Sequence, residues 1–95
     1  MGFAYVVGQV TVKDEGKWAE YQKKVPETFV QWNCEPVLRG RQFAALAGQC
    51  PHAGVVVLRF PSVDALKGWF DSPAYQALVP LRDAAADVVL TAYEA

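Results

Sequence analysis

The sequence predicts an α+β fold with the element order β-α-β-β-α-β. Four segments are rich in β-branched and aromatic residues, and two further segments repeat apolar residues every three to four positions. The two central strand segments follow each other with only a loop between them. Because 95 residues suffice for one compact domain and not for two, we expect a single domain over residues 1–95.

Composition narrows the class of protein. A hydrophobic fraction of 53% with a net charge of −1 excludes intrinsic disorder. Nine basic against ten acidic residues give no electrostatic footprint for nucleic acid or an acidic membrane surface. No apolar stretch approaches the roughly 18–20 residues that a membrane span requires. We therefore expect a cytoplasmic protein without nucleic-acid or membrane partners, and the two distant cysteines, Cys34 and Cys50, to be free thiols.

The first half of the chain begins with a strand and a helix. Residues 3–12 are β-branched and aromatic and contain no proline, which predicts the first strand. Asp14 can cap the helix that follows, over residues 15–32, in which large apolar side chains recur at spacings of three and four. Pro26 cannot donate to the preceding turn, so we expect a kink or a break there.

Two strands joined by a loop come next. Residues 37–47 are extended in character, and Gly40 is the expected bulge or close contact. Residues 48–54 read as a loop from their Gly and Pro content, and residues 55–60 form the clearest strand of the chain. Together they predict an antiparallel hairpin with a long loop.

The last third predicts a second helical segment in two pieces and a closing strand. Ser62 caps the first piece, and Ser72 caps the second, with Pro73 at the first helical position. Pro80 is expected to kink the second piece. Residues 88–93 then form the fourth strand.

This order is that of a ferredoxin-like unit, in which both helical segments cover one face of an antiparallel sheet. Alternation along the first strand divides its side chains between two faces, Phe3, Tyr5, Val7 and Gln9 against Ala4, Val6, Gly8, Val10 and Val12. Neither face looks wholly solvated, so a second layer should cover the bare one. An identical sheet from a second subunit would do so, which predicts a two-fold homodimer.

Motifs that carry chemistry are scarce. There is no nucleophile elbow, no phosphate-binding glycine loop, no zinc-protease motif and no pair of closely spaced carboxylates. We expect neither a metal nor a cofactor. His52, the sole imidazole, lies in the predicted hairpin loop and reads as an exposed loop residue or as an acid, a base or a haem ligand.

Three arginines lie on neighbouring predicted strands. Arg39 and Arg41 share a face by the period of two, and Arg59 is on the next strand. A guanidinium on a sheet without a solvated face needs an anionic partner, which is either a carboxylate of the chain or an anionic ligand. The candidate carboxylates are Asp87, Glu94 and Glu35.

Aromatic residues on the two helical segments either form the core or line a ligand cleft. They are Trp18, Tyr21, Trp32, Trp69, Phe70 and Tyr75. Tyr75 and Arg82 are seven apart and share a helix face unless Pro80 rotates it. We predict one polar pocket at the boundary of helices and sheet, with Arg39, Arg59, Tyr75 and Arg82 around it, Trp69 and Tyr21 as walls, and His52 near its mouth. The candidate catalytic residues are His52, Tyr75 and Arg82.

Several segments carry a resemblance to a known family. They are residues 59–66 (RFPSVDAL), 69–78 (WFDSPAYQAL) and 80–82 (PLR), with further matches at 37–40 (VLRG) and 46–48 (LAG). The chain resembles the thirteen-thirty domain-of-unknown-function family of the dimeric α/β-barrel superfamily. The resemblance implies a ferredoxin-like protomer whose sheet pairs with that of its two-fold mate to form a barrel. Ala74 stands where family members often have Glu, so any role of that Glu is vacant here.

The leading functional hypothesis is a small-molecule-binding dimer. Its ligand would be aromatic or carboxylated, and a cofactor-independent enzyme of the oxygenase or isomerase type is one form of this hypothesis, since relatives in the superfamily include such enzymes. The alternative is a non-catalytic binding or assembly module, in which the arginines and aromatic residues serve packing and ion pairs alone.

Overall fold

The computed structural model describes residues 2–95 and places in them four strands and four α-helices; Met1, the first residue of the predicted domain, lies outside the described residues. In chain order they are β1 (Ala4–Val12), α1 (Glu15–Lys24), β2 (Glu35–Arg41), β3 (Gly54–Phe60), α2 (Val63–Asp71), α3 (Pro73–Gln76), α4 (Val79–Ala85) and β4 (Ala86–Glu94). In residues 2–95 no helix is both long and apolar enough to cross a membrane.

The four strands form one antiparallel sheet in the order β2-β3-β1-β4. The first strand therefore lies between the third and the last, and Ala4 pairs with Phe60 on one side and Glu94 on the other. This is the ferredoxin-like arrangement, so the predicted α+β fold is confirmed.

The first helical segment breaks where its proline predicts. The Asp14 carboxylate accepts a backbone hydrogen bond in the first turn of α1, as a capping residue does. The predicted helix 15–32 is α-helical for its first ten residues only. Pro26 then opens two 3₁₀ turns, Val25–Thr28 and Val30–Trp32, because it can neither donate to the preceding turn nor fit against it.

The second helical segment has three pieces where two were predicted. Ser62 caps α2 and Ser72 caps α3, each with its hydroxyl accepting a backbone N–H three residues on. Pro73 opens α3 as expected. Pro80 lies in the first turn of α4, so it starts a new helix and does not kink a continuous one.

The second strand is shorter than predicted. It ends at Arg41 and not at residue 47, and the last bond of the ladder runs from the Gln42 N–H to the Ala53 carbonyl at 2.7 Å. The strand ends here because β3 begins at Gly54 and offers no partner further along. Cys34 directly precedes this strand and Cys50 lies in the loop after it, and both cysteines are free, as predicted.

The irregularity in this strand lies between Pro36 and Leu38, not at Gly40 as predicted. Proline has no N–H for the ladder and is found in strands at edges and bulges. Past the irregularity Arg39 pairs with Val56. The arginine thus comes to face the helices together with that valine.

The core lies between the sheet and the helices, and its largest fully buried side chains are Phe60, Trp69 and Tyr75. Even-numbered side chains of β1 are buried up to Val10, whereas the odd-numbered ones, such as Tyr5 and Val7, are half-buried. Within residues 2–95 no helix covers this second face, which we call the open face. The alternation predicted for β1 is confirmed.

Candidate ligand-binding site

A cavity of about 230 Å³ lies between α1 and the sheet. It exists because the helices leave β2 exposed along its whole length. Its floor is formed by apolar strand residues, Val6, Gly8, Val10, Val56, Leu58, Val88 and Leu90. The irregular stretch of the edge strand, residues 36–39, borders it, with Arg39 facing the helices and Leu38 facing away from them. Its helical side is lined by Trp18, Tyr21, Gln22, Val25, Phe29, Trp69 and Tyr75.

A chain of hydrogen bonds lies along the helical wall of the cavity. The hydroxyl oxygens of Tyr21 and Tyr75 are 2.9 Å apart, and both tyrosines are buried. Arg82 Nη1 donates to the Tyr75 hydroxyl at 3.0 Å. The Arg82 guanidinium also contacts the exposed carboxylate of Asp83 at 3.1 Å, through Nε and Nη2. A permanent cation thus stands at one end of a pair of phenols.

One phenolic hydrogen of this chain is left over. Two hydroxyl groups carry two hydrogens, and the bond between Tyr21 and Tyr75 uses one of them. Arg82 is a donor only and cannot accept the other. Within residues 2–95 neither hydroxyl has a further acceptor. The hydrogen-bonded residues Arg82, Tyr75 and Tyr21 therefore offer one hydrogen-bond donor from the wall of an apolar cavity.

Burial keeps the Tyr21 hydroxyl protonated. Burial raises the pKa of Tyr21 well above its ordinary value, and the neighbouring Tyr75 raises it further. For Arg82, burial lowers the pKa, but the hydrogen bonds to Tyr75 and Asp83 outweigh it and the net pKa is raised. Tyr21 is therefore a neutral phenol at neutral pH, in a hydrogen-bonded cluster that ends on the Arg82 guanidinium.

Aromatic rings form the rest of the wall. Trp18 stacks on Tyr21 with ring centroids 5.1 Å apart, and Trp69 packs on Tyr75 at 4.2 Å. The Trp69 indole donates to the Thr28 hydroxyl at 2.9 Å, which fixes the indole plane. Of the six predicted aromatic residues, Trp18, Tyr21, Trp69 and Tyr75 therefore form the cavity wall, whereas Trp32 and Phe70 lie outside it.

Four of the predicted ligand-binding residues meet in this cavity. Tyr21, Trp69, Tyr75 and Arg39 line it directly. Arg82 stands behind Tyr75 and reaches the cavity through that hydroxyl. Arg39 and Arg82 lie on the same side of the sheet, as the predicted pocket required.

Arg59 does not belong to this pocket, so the prediction is wrong in that respect. Arg59 pairs in register with Tyr5 and therefore faces the open face. Its Nη2 donates to Glu35 Oε1 at 2.9 Å, and its guanidinium lies 4.7 Å from the centroid of the Phe3 ring. The expected carboxylate partner Glu35 is thereby confirmed for this arginine.

His52 is also on the wrong side to stand at the mouth of the pocket. Its Nδ1 is 2.9 Å from the hydroxyl oxygen of Thr11, an odd-numbered residue of β1. It lines a different depression together with Gln9, Gln42 and Cys50, and Arg41 on the edge strand borders both this depression and the helical side. His52 stands two residues before β3, which pairs with β1, and this places its ring beside Thr11.

The other two candidate carboxylates, Asp87 and Glu94, form no ion pair with the strand arginines in residues 2–95. Asp87 lies 3.4 Å from Lys13 Nζ. Across residues 2–95, Arg39 and Arg41 form no ion pair, and Glu94 forms none either.

Two polar residues that line or support the cavity were not predicted. Gln22 lines it one helical turn beyond Trp18, and the spacing of four along α1 was the available signal. Thr28 supports Trp69 from the 3₁₀ turn after Pro26, and nothing in the sequence links residues 41 positions apart. Among residues 2–95 no group of three or more His, Cys, Asp or Glu side chains is placed to hold a metal ion.

The fold and the cavity together define a ferredoxin-like protein with an aromatic site between its helices and its sheet. Residues 3–95 match the family described as "Domain of unknown function (DUF1330)". The chain belongs to the DUF1330 family, as the sequence resemblance predicted. A search of the curated proteins found no match.

Solved structures share the fold. A protein of unknown function from Rhodopseudomonas palustris is 20% identical, with a TM-score of 0.83 over 99% of this chain and 82% of that one. SnoaB, a cofactor-independent oxygenase from Streptomyces nogalater, is 12% identical, with a TM-score of 0.69 over 100% and 94%. A dimeric ferredoxin-like protein of unknown function from Jannaschia sp. CCS1 is 11% identical, with a TM-score of 0.72 over 99% and 100%. At these identities the likeness supports the fold.

Proposed function

We propose that this chain forms a homodimer that binds a small aromatic or carboxylated molecule in the cavity between α1 and the sheet. The observation that carries the proposal is the buried Arg82–Tyr75–Tyr21 chain, which leaves one hydroxyl hydrogen without an acceptor in residues 2–95. A buried donor without a partner costs free energy unless water or a ligand accepts from it. An apolar cavity with few converging polar groups is the usual form of a small-molecule site.

The volume of the cavity limits the size of the ligand. An engineered cavity of about 150 Å³ in another protein admits benzene. The present cavity of about 230 Å³ has room for one aromatic ring with a short substituent. A carbonyl, phenol or carboxylate oxygen on that ring would accept from the tyrosine pair.

The titratable side chains that line the cavity limit the reactions that it could catalyse. Among the described residues that line the cavity, the titratable side chains are Tyr21, Tyr75 and Arg39. No carboxylate, imidazole or amine stands among them to take a proton at neutral pH, so an isomerase that depends on a protein base has little support. Ligand binding needs no such base.

An oxygenase-like reaction is the second candidate function. The fold is similar to that of SnoaB, which is a cofactor-independent oxygenase. Donors such as Tyr75 with Arg82 behind it stabilise an oxyanion, and a substrate acidic enough to ionise unaided would need no protein base. Oxygen consumption that begins when the protein is mixed with an acidic phenol would support the oxygenase-like reaction.

The proposed homodimer is supported by the amount of surface left uncovered. The isolated chain exposes 6147 Å². A monomer of its mass, 10.4 kDa, is expected to expose about 5,400 Å². The excess of roughly 750 Å² is close to what one partner buries in a standard interface. The open face carries exposed apolar residues, among them Leu38, Val89 and Tyr93.

A thermal-shift screen against aromatic and carboxylic acids tests the proposal. A ligand that binds only the native state raises the melting temperature. We expect stabilising compounds, and we expect Tyr75→Phe to lose most of that stabilisation. If no compound shifts the wild-type protein, the alternative of a non-catalytic assembly module gains support, in which these aromatic residues only pack.

A further inference from the structure

The cavity opens into a groove of about 400 Å³ at the end of β2. Both spaces share Val10, Trp18, Gln22, Arg39 and Val56 in their linings, so they form one continuous cleft. The stacked rings of Trp18 and Tyr21 run along its helical side, from the groove toward the tyrosine pair. The cleft is thus longer than the buried cavity alone.

Two guanidiniums stand at the open end of this cleft. Arg39 pairs with Val56 and Arg41 pairs with Gly54, so both arginines face the helices. Neither forms an ion pair within residues 2–95, whereas Arg59 and Arg82 have carboxylate partners. Glu15 also lines the groove, but its carboxylate is not within ion-pair distance of either arginine. The open end therefore carries an excess of positive charge.

The position of these arginines depends on the irregularity beside Pro36. In an unbroken register, Arg39 would pair with Val55 and face the open side, because a shift by one residue moves a side chain to the other face. The irregularity brings Arg39 to the cleft. Leu38 moves to the open side in exchange.

Resting on the proposed function, we infer that the ligand has two polar ends. A carboxylate is held by Arg39 and Arg41 at the groove, since arginine binds carboxylates through paired hydrogen bonds. An aromatic ring lies against Trp18. A second oxygen at the far end of the ligand accepts from the Tyr21–Tyr75 pair.

Three matched probes test this assignment. They are 3-(4-hydroxyphenyl)propionate, its neutral amide, and 3-phenylpropionate, which lacks the far oxygen. We measure their dissociation constants by titration calorimetry at low and high salt. The acid should bind at least about tenfold more tightly than the amide, and added salt should reduce that ratio. The hydroxylated acid should also bind more tightly than 3-phenylpropionate.

Charge-deleting variants locate the carboxylate. In Arg39→Gln and Arg41→Gln, the preference for acid over amide should fall toward one while the affinity for the amide is kept. Arg59→Gln is the matched control, because it removes the same charge from the neighbouring strand on the open face, and its preference should match wild type.

The possible failures are distinct. Equal binding of acid and amide to the wild-type protein overturns the two-ended ligand and leaves the proposed function standing. If both Arg39→Gln and Arg41→Gln still bind the acid more tightly than the amide, the two-ended ligand is overturned as well. If neither these probes nor any compound of the thermal-shift screen binds, the proposed function fails, and this inference fails with it.

Discussion

The hydroxyl oxygens of Tyr21 on α1 and Tyr75 on α3 lie 2.9 Å apart, although 54 residues separate them in the chain. This bond joins the two helical segments directly over the sheet. Arg82 on α4 completes the junction by donating to Tyr75. One small polar cluster therefore both holds the helices together and supplies the only phenol pair that lines the cavity in the described part of the chain.

Replacing Tyr75 by Phe tests the structural side of this cluster. The substitution keeps the ring but strips Tyr21 and Arg82 of their partner, so we expect the free energy of unfolding to fall by about 1–2 kcal/mol. Urea denaturation measures it. In the double variant Tyr21→Phe/Tyr75→Phe, the cost should be smaller than the sum of the two single costs, because both partners are then apolar. Strictly additive costs would mean that the two hydroxyls do not interact.

Gly68 on α2 lies against the indole of Trp32. A methyl group added at Gly68 would overlap the Trp32 ring carbons. Alanine normally stabilises a helix interior by about 1 kcal/mol relative to glycine, but forced overlap costs about 1–3 kcal/mol. We therefore expect Gly68→Ala to lower the melting temperature.

Gly16→Ala is the matched control for that substitution. A methyl group at Gly16 would meet only the Asp14 carboxylate, at 3.5 Å, which is ordinary contact. This variant should be as stable as wild type or more so. A rise in melting temperature for Gly68→Ala would mean that Trp32 does not lie against α2.

Cys34 should be a slow nucleophile in the folded protein. Burial, with a contribution from the Glu35 carboxylate, raises the pKa of its thiol from 9.0 to about 12. In a Cys50→Ser background, alkylation by iodoacetamide at pH 8.5 should be at least about tenfold slower in the native protein than in urea. Equal rates would contradict the buried placement.

The raised pKa of the Cys34 thiol also makes the free energy of unfolding depend on pH. Between pH 9 and 12 the unfolded thiol loses its proton while the folded one keeps it. The unfolded state therefore binds fewer protons, and the free energy of unfolding falls as pH rises through this window. Cys34→Ala should weaken that fall in urea titrations, and a fall of unchanged size would assign it to other groups.

A charge on the open face should break the proposed dimer. Val89 pairs with Gln9, faces the open side and is 48% exposed in the isolated chain. Light scattering should give the wild type twice the chain mass of 10.4 kDa, and Val89→Lys should approach the mass of one chain. Val30→Lys, on the helical side, is the control and should stay dimeric. A wild-type particle of 10.4 kDa at micromolar concentration would contradict the dimer.

Local chemistry made much of the fold predictable. Pro26 ends α1, and Ser62 and Ser72 begin α2 and α3, because a proline or a capping hydroxyl acts within one turn. The faces of β1 followed from alternation alone. The end of β2 could not be predicted, since the length of β3 sets it.

The site was predictable in part for the same reason. Tyr21, Trp69 and Tyr75 lie on helical faces whose spacing marks them as inward, and they line the cavity. Arg59 was misplaced because its face depends on its pairing with Tyr5, a contact between distant segments. The position of Arg39 depends on one irregularity in register, which changes the face of every residue after it.

The most direct test of the aromatic cavity as a binding site uses the indole N–H signals of the three tryptophans. Trp18 and Trp69 line the cavity, whereas Trp32 lies against α2 outside that lining. A ¹H–¹⁵N titration with 3-(4-hydroxyphenyl)propionate should shift the Trp18 signal, and to a lesser degree the Trp69 signal, in a saturable way while Trp32 stays in place. Saturable shifts confined to Trp32, or no shift of Trp18 with any compound that stabilises the protein, would contradict a ligand site in this cavity.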